Sequence, residues 1–246
     1  MAKLFFLDQE FLLQTAYEHH SSGRIAAASD IYSTILKSNP SQPDALHLSG
    51  LVALQNGQFE TAVRQMSKAV ELVPEYAEAI CNLGLAYRAL GRLTDALKCF
   101  LQALQINDRL GGAHNNAGLV LHDLREWRKA VSSFEKAISI NPDNAEPFFN
   151  KGNTHRELSE PALAITSYRK ALEIDPQYAD AQVNLGVVLQ ENGRFPEAVE
   201  AYRKVISNWP DNSAAYNNLG TIMRDSGNFD DALHNYQMAI SINPTF

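Results

Sequence analysis

Five asparagines recur along this chain at intervals of 34 residues: Asn82, Asn116, Asn150, Asn184 and Asn218. A carboxamide carries a hydrogen-bond donor and an acceptor together. One such side chain can therefore hold both the C=O and the N–H of a peptide unit, without regard to that peptide's side chains. A regular row of carboxamides is suited to binding an extended polypeptide through its backbone.

Residue patterns of other chemistries do not occur in the sequence. It contains no G-x-S-x-G or H-E-x-x-H motif, and no glycine-rich phosphate-binding loop follows a credible strand. The seven histidines show no metal-ligand spacing, and the neighbours His19 and His20 would leave a helix in different directions. We therefore expect no catalytic activity, no metal and no cofactor.

Composition narrows the class of partner. The formal net charge of −7 and the pI near 5.5 argue against nucleic acid or an anionic membrane as the partner. No apolar run reaches the length of a membrane span, and the apolar start is too short for a convincing signal peptide. Because Cys81 and Cys99 would face opposite sides of their layer, we expect free thiols and a cytoplasmic location.

A second column with the same period sets the register of a repeat. Its members are Pro40, Pro74, Pro142, Pro176, Pro210 and Pro244, and Asp108 stands where one further proline is expected. With each proline at position 32, the sequence divides into seven copies: residues 9–42, 43–76, 77–110, 111–144, 145–178, 179–212 and 213–246. Residues 1–8 form a lead-in, in which Leu7 and Leu12 could enclose an Asp8 N-cap.

Each copy predicts two antiparallel helices. In the third copy the apolar-periodic stretches run over residues 78–90 and 93–106. Six copies carry glycine at position 8, all carry alanine at position 20, and all carry a large residue at position 24. A glycine inside a helix costs about 1 kcal/mol relative to alanine, so we expect it to allow a close approach of the two helices. Further glycines just past the first helix suit a left-handed cap, and the proline is expected to stop the second helix.

These columns resemble the tetratricopeptide repeat (TPR) family over residues 9–246. The third copy carries much of the family pattern: Leu83, Gly84, Tyr87, Gly91, Ala96, Phe100 and Ala103. The resemblance implies an all-α fold, a right-handed α-solenoid of seven helix-turn-helix repeats in a single superhelix. It also implies a scaffold that binds an unknown protein or extended peptide, since repeats of this length must stack to bury their apolar faces.

A closer resemblance is to the superhelical TPR arm of O-linked N-acetylglucosamine transferases and their bacterial relatives. It is carried by the asparagine column and by strings such as residues 217–220, 224–228 and 239–246. In that family the asparagines line a concave groove and contact the backbone of protein substrates. The resemblance implies the same role for the five asparagines here, while Gln14 and Leu48 break the column in the first two copies.

An alternative role for the asparagines is structural. Each amide could bond to the neighbouring copy and fix the angle at which the copies stack. The two roles are compatible, because an amide has more bonds to give than one neighbour takes.

Other positions of the expected groove add candidates. Position 9 is apolar in the N-terminal half, with Tyr17, Leu51, Leu85 and Leu119, and it holds Asn153, Val187 and Thr221 in the C-terminal half. Arg88, Arg156 and Arg224 stand at position 12, beside acidic residues at position 13. We include these arginines and Asn153 among the candidate peptide contacts. The same charges could instead compensate one another on a solvated face, or attract a basic or hydroxyl-rich ligand.

One family subtype is excluded by the residues. Chaperone-binding members hold a terminal carboxylate between asparagines and several cations, and Asn153 and Asn184 match those asparagines. Phe149, Ala214 and Asn218 stand where the cations are needed. A carboxylate would lack its charge-assisted hydrogen bonds there.

Two weak points are expected along the chain. The third junction has Asp108 in place of proline and opens with Gly111 and Gly112, so residues 106–114 are predicted to be the most deformable joint. The last helix carries apolar residues that would face a missing neighbour: Leu233, Tyr236, Ile240 and Ile242.

Three functional hypotheses follow from these observations. The first is a non-enzymatic scaffold for an extended polypeptide. The second is the substrate-recognition arm of a larger glycosyltransferase whose catalytic domain lies beyond residue 246. The third is a scaffold that self-associates through its uncapped C-terminal repeat.

Overall fold

The structure is a computed structural model that describes the backbone of residues 2–244 and the side chains of residues 9–244. Within that range it contains fourteen helices and no strand. The helices are α1 (Ala2–Ser21), α2 (Ile25–Ser38), α3 (Pro43–Gln55), α4 (Phe59–Leu72), α5 (Ala77–Ala89), α6 (Leu93–Ile106), α7 (Gly111–Asp123), α8 (Trp127–Ile140), α9 (Ala145–Glu157), α10 (Pro161–Ile174), α11 (Ala179–Glu191), α12 (Phe195–Asn208), α13 (Ser213–Asp225) and α14 (Phe229–Ile242).

The helices follow the predicted repeat copy by copy. From the second copy on, the first helix has 13 residues and the second has 14. Short turns join the two helices of a copy and also join one copy to the next, which favours antiparallel neighbours. The predicted all-α helical repeat of seven helix pairs is confirmed.

The start of the chain is helical. Helix α1 begins at Ala2 and runs without a break through Asp8. Asp8 therefore lies inside a helix, and its predicted role as an N-cap is wrong. The physical reason is that residues 2–7 contain neither glycine nor proline and include good helix formers such as Ala2 and Leu4. The expected contact of Leu7 with Leu12 lies outside the described side chains.

The chain divides into two compact units, which we call unit 1 (Met1–Leu124) and unit 2 (Arg125–Phe246). In unit 1 the first helices of neighbouring copies, α3, α5 and α7, contact each other in order; in unit 2 the same holds for α9, α11 and α13. We call the side of each unit formed by these helices its first-helix face. The single superhelix over residues 9–246 stays a prediction.

Glycine at position 8 allows the predicted close approach. A Cβ added to Gly186 would lie 2.5 Å from Cε1 of Tyr202, and one added to Gly84 would lie 2.8 Å from Cε1 of Phe100. The residues at position 24 have no exposed surface in the first six copies: Tyr32, Met66, Phe100, Phe134, Tyr168 and Tyr202. The large side chain of the second helix therefore packs directly on the backbone of the first.

Proline is not required to end the second helix. Helix α6 ends at Ile106 although Asp108 follows, and the N–H of Asn107 closes the helix on the carbonyl of Ala103, as in the other copies. The imidazole Nε2 of His114 lies 3.0 Å from the carbonyl oxygen of Asp108. The junction thus has a contact of its own, and the greater deformability of residues 106–114 stays a prediction.

The turn inside each copy needs a left-handed residue at position 15. Five copies place glycine there, with φ between +71° and +79°, which confirms the predicted cap. In the fourth and fifth copies, Arg125 has a φ of 61° and Ser159 has a φ of 57°. A residue with a Cβ pays about 1–2 kcal/mol for that conformation.

Ser159→Gly should therefore raise the free energy of unfolding by about 1 kcal/mol, because glycine adopts this backbone conformation without strain. Chemical denaturation followed by circular dichroism measures the change. The matched control is Gly193→Ser at the same position of the next copy. A Cβ there would meet no atom within 4 Å, so only the backbone strain is added and stability should fall by a similar amount. Unchanged stability in both variants would contradict the strain.

Candidate functional site

Asn82 of unit 1 is tied to the preceding copy. Its Nδ2 lies 2.8 Å from Nε2 of His47, whose Nδ1 lies 3.0 Å from the hydroxyl oxygen of Tyr76. That hydroxyl donates to Oδ1 of Asp44 at 2.9 Å. Because an amide nitrogen can only donate, Nε2 of His47 must accept and its proton must sit on Nδ1. The four side chains form one directed chain of hydrogen bonds.

The electrostatics of this chain favour a neutral imidazole. His47 is 5 % exposed, and burial lowers its pKa below the ordinary value although the carboxylates of Asp44 and Glu78 act in the opposite direction. Burial and the hydrogen bond to Asp44 raise the pKa of Tyr76. At neutral pH this row of hydrogen-bonded side chains therefore contains a neutral histidine and a protonated tyrosine.

Asn116, the other member of the asparagine column in unit 1, is less constrained. It lies half-buried in α7. The residue at position 24 of the preceding copy is Phe100, which has no polar atom to offer. In the part of the chain that the structure describes, the Asn116 amide makes none of the side-chain hydrogen bonds seen at Asn82.

Unit 2 places two amides side by side. Nδ2 of Asn184 donates to Oδ1 of Asn153 at 2.9 Å, and the hydroxyl of Tyr168 donates to the same oxygen at 2.7 Å. Burial raises the pKa of Tyr168 to about 12, so its hydroxyl stays protonated and remains a donor. Two donors thus fix the Asn153 carboxamide with its oxygen toward Tyr168.

The remaining asparagines of unit 2 have different surroundings. Asn218 shares a side-chain hydrogen bond with the hydroxyl of Tyr202, which also donates to Oε1 of Gln190 at 3.0 Å. Asn150 is buried, and its backbone carbonyl accepts a hydrogen bond from Thr154. Tyr168 and Tyr202 therefore connect the core of one copy to the asparagine of the next.

The arginines at position 12 are paired with carboxylates. Arg156 bonds to Glu191 of the next copy at 3.0 Å, and Arg88 lies 3.7 Å from Asp123 of the next copy. Arg224 pairs with its own neighbour Asp225 at 2.8 Å. Exposed pairs of this kind contribute about 0–1 kcal/mol each. Their geometry agrees with charges that compensate one another along the face.

The sequence placed the asparagines correctly on first helices but missed their partners. In unit 2 the structure brings Asn153, Asn184 and Arg156 together around Tyr168. The signal was present in column 24, which changes from methionine and phenylalanine to tyrosine in the last three copies. His47 gave no such signal, because its position is occupied by different residues in the other copies.

Comparisons with known proteins identify the class. Models of the family described as tetratricopeptide repeat match residues 41–109, 75–143 and 177–245, and related models match residues 13–62, 133–166 and 160–193. The chain therefore belongs to the tetratricopeptide repeat family. A search of curated proteins returned no match. The closer resemblance to the transferase arm thus stays a hypothesis.

Solved structures of the same fold are similar over most of the chain. YrrB, described as a TPR protein with an unusual peptide-binding site, is 26% identical with a TM-score of 0.61, covering 73% of this chain and 92% of its own. PilF from Pseudomonas aeruginosa is 20% identical with a TM-score of 0.72, covering 82% and 92%. A TPR protein from Parabacteroides merdae is 16% identical with a TM-score of 0.72, covering 96% and 93%.

None of the helices within residues 2–244 combines the length and the apolar character that a membrane span requires.

The buried imidazole of His47 predicts a pH dependence of stability. Its pKa is lower in the folded state than in the unfolded chain, so the unfolded chain binds more protons between the two values. Stability should be complete above about pH 6.5 and fall as the pH drops below it, by up to about 1.4 kcal/mol per pH unit. Urea unfolding at pH 8, 7, 6 and 5 measures the loss.

His47→Gln provides the control, because a glutamine amide can accept from Asn82 and donate to Tyr76 but does not titrate. The variant should lose less stability than the parent chain between pH 7 and pH 5. His155 and its partner Glu160 are common to both chains and cancel in the comparison. Parallel pH profiles for the two chains would disprove the assignment.

Proposed function

We propose that this protein is a non-enzymatic scaffold that binds an extended polypeptide through its backbone on the first-helix faces. Membership in the tetratricopeptide repeat family and the similarity to YrrB support a role in peptide or protein binding. We also propose that the protein acts in the cytoplasm. No metal or cofactor has a part in the proposal.

The fixed orientation of Asn153 carries the proposal. Its oxygen already accepts from Tyr168 and Asn184, so its Nδ2 group is turned away from them with two N–H donors to give. Asn184 uses an N–H in this contact and keeps its oxygen as an acceptor. A donor and an acceptor in neighbouring amides match the C=O and N–H of a peptide backbone. Because the neighbours already fix the Asn153 side chain, its conformational entropy is not lost when a ligand binds.

The stacking role and the binding role are therefore compatible in this chain. An amide has two N–H groups and two lone pairs in total. Asn82, Asn184 and Asn218 each use only some of these groups in hydrogen bonds to the preceding copy. We assign the same backbone-binding role to Asn116 and Asn150. Arg88, Arg156 and Arg224 are assigned to the rim of the face, where their carboxylate partners limit the charge that they offer.

Exposed apolar residues on α14 favour self-association as a second candidate function. Phe229 is 69% exposed, Leu233 is 58% exposed and Ile240 is 53% exposed. Ile165, which occupies in α10 the position of Leu233, is 5% exposed because the next first helix packs against it. An apolar stripe of this kind is suited to contact with another chain.

Replacement of Asn153 by aspartate tests the backbone-binding function. Asn153→Asp keeps an oxygen for Tyr168 and Asn184 but replaces the two N–H donors with a second oxygen. Peptides selected from a random 12-residue display library should bind the variant at least about 10-fold more weakly, since a lost hydrogen bond and a repulsive oxygen together exceed about 1.4 kcal/mol. Fluorescence anisotropy with labelled peptides measures the affinity.

The matched control for this test is Gln177→Glu, which adds the same charge on an exposed turn of unit 2. Thermal melting followed by circular dichroism confirms that both variants fold. Equal affinity of the parent chain and a folded Asn153→Asp variant would refute the backbone-binding role and leave only the stacking role.

Substitution on α14 tests self-association. Sedimentation equilibrium of the parent chain should show an average mass that rises with concentration above about 10 μM, the range expected for a small interface. Leu233→Gln combined with Ile240→Gln should restore the monomer mass, because both side chains are exposed and their replacement leaves the core intact. A monomer at all concentrations in the parent chain would rule out this second function.

A further inference from the structure

The first-helix face of unit 1 carries a row of leucines at position 9. We call Leu51, Leu85 and Leu119, on α3, α5 and α7, the leucine row. Each side chain is half-buried, and Tyr17, at the same position of α1, is 56% exposed. Leu85 and Leu119 each follow a column asparagine by three residues, which places leucine and amide on the same side of their helix.

The fold itself does not require an apolar residue at this position. Unit 2 builds the same helix pairs with Asn153 and Thr221 at position 9. The core of unit 1 is already filled by the fully buried Met66 and Phe100 of the second helices. Leu51 and Leu85 pack against core clusters that join two copies but stay half-buried, so part of each side chain is left to contact a ligand.

The spacing of the row selects the conformation of a ligand. Packed helices have axes about 8–10 Å apart, and α3, α5 and α7 are in contact, so successive leucines should be separated by about that distance. A polyproline II chain advances about 3.1 Å per residue, or about 9.3 Å over three residues. A β-strand advances about 6.6–6.8 Å over two residues and about 13 Å over four, and neither value fits.

Two carboxylates on the helices of the row indicate which residues of a ligand should lie between its apolar side chains. Asp44 and Glu78 stand exposed in the first turns of α3 and α5. Neither makes an ion pair with a lysine or arginine among the described side chains, although Asp44 accepts hydrogen bonds from Tyr76 and Gln42. A ligand with basic residues would complement these carboxylates.

We propose that the leucine row binds an extended segment of polyproline II conformation with an apolar side chain at every third residue and basic residues between them. This inference rests on the proposed function, since it names the class of polypeptide that the scaffold binds. The asparagines would hold the backbone of the segment, and the leucines would select its side chains.

Peptide selection tests the proposal directly. A random 12-residue display library is panned against the full chain, and the selected sequences are examined for periodicity. We expect Leu, Ile, Val, Phe or Met at i, i+3 and i+6, with an excess of Lys and Arg between them. The triple variant Leu51→Asn, Leu85→Asn and Leu119→Asn should bind these peptides at least about 10-fold more weakly, because asparagine has nearly the shape of leucine but much less apolar surface.

Two further variants keep the test independent of folding. If the triple variant does not fold, the double variant Leu85→Thr with Leu119→Thr replaces it in the test. This variant introduces the residue that unit 2 accepts at Thr221, and it should also weaken peptide binding. Val187→Asn makes the equivalent change in unit 2 and should leave the affinity unchanged. Selected sequences with no apolar period, or with a period of two, would overturn the proposal, and so would equal affinity of a folded leucine variant.

The outcomes separate this inference from the proposed function. Peptides that lose affinity with Asn153→Asp but show no apolar period would support the scaffold and refute the leucine row. Peptides that require the leucines but tolerate Asn153→Asp would support the row and refute backbone binding at Asn153. A library that yields no binder would overturn both.

Discussion

The packing of the position 24 side chain on the position 8 glycine is the contact on which the rest of each unit depends. The ring of Tyr202 or Phe100 occupies the space that a Cβ of Gly186 or Gly84 would need, so the two helices of these copies meet more closely than a residue with a Cβ would allow. The far end of the same ring reaches the first-helix face. There the hydroxyls of Tyr168 and Tyr202 bond to Asn153 and Gln190. One side chain thus fills the core and orients the polar groups of the face.

The sequence predicts features that are local or strictly periodic. Helix bounds, the glycine contact and the left-handed turns follow from spacing and steric limits alone. It does not predict which partner each asparagine finds, because an amide can turn toward several neighbours and the choice depends on the preceding copy. Where Met66 offers no hydroxyl, Asn82 turns to His47; where Tyr168 is present, Asn184 joins it at Asn153. The start of α1 was mispredicted because Asp8 was taken as an N-cap, although residues 2–7 contain no glycine or proline that would keep a helix from beginning earlier.

The two units show how one scaffold can carry two chemistries. Both pack helix pairs through the same small and large residues, so the first-helix positions are free to differ. Unit 1 combines a buried imidazole chain with half-buried leucines, whereas unit 2 combines tyrosine hydroxyls with amides. The chemistry of a face is therefore set by the residues at positions 5, 6 and 9 and by whether position 24 carries a hydroxyl, whereas the architecture is set by the sizes of the residues at positions 8, 20 and 24.

The hydrogen bonds between copies have a consequence for protein engineering. Copies of a repeat are usually treated as interchangeable modules that can be shuffled or duplicated. In this chain the hydroxyl at position 24 of one copy and the amide at position 6 of the next form a matched pair, as Tyr202 and Asn218 do. Exchanging whole helix pairs would separate such partners. Because the position 24 ring also packs on the position 8 glycine of its own copy, a transplanted helix pair keeps all of its contacts only when the bonding residues of both neighbouring copies move with it.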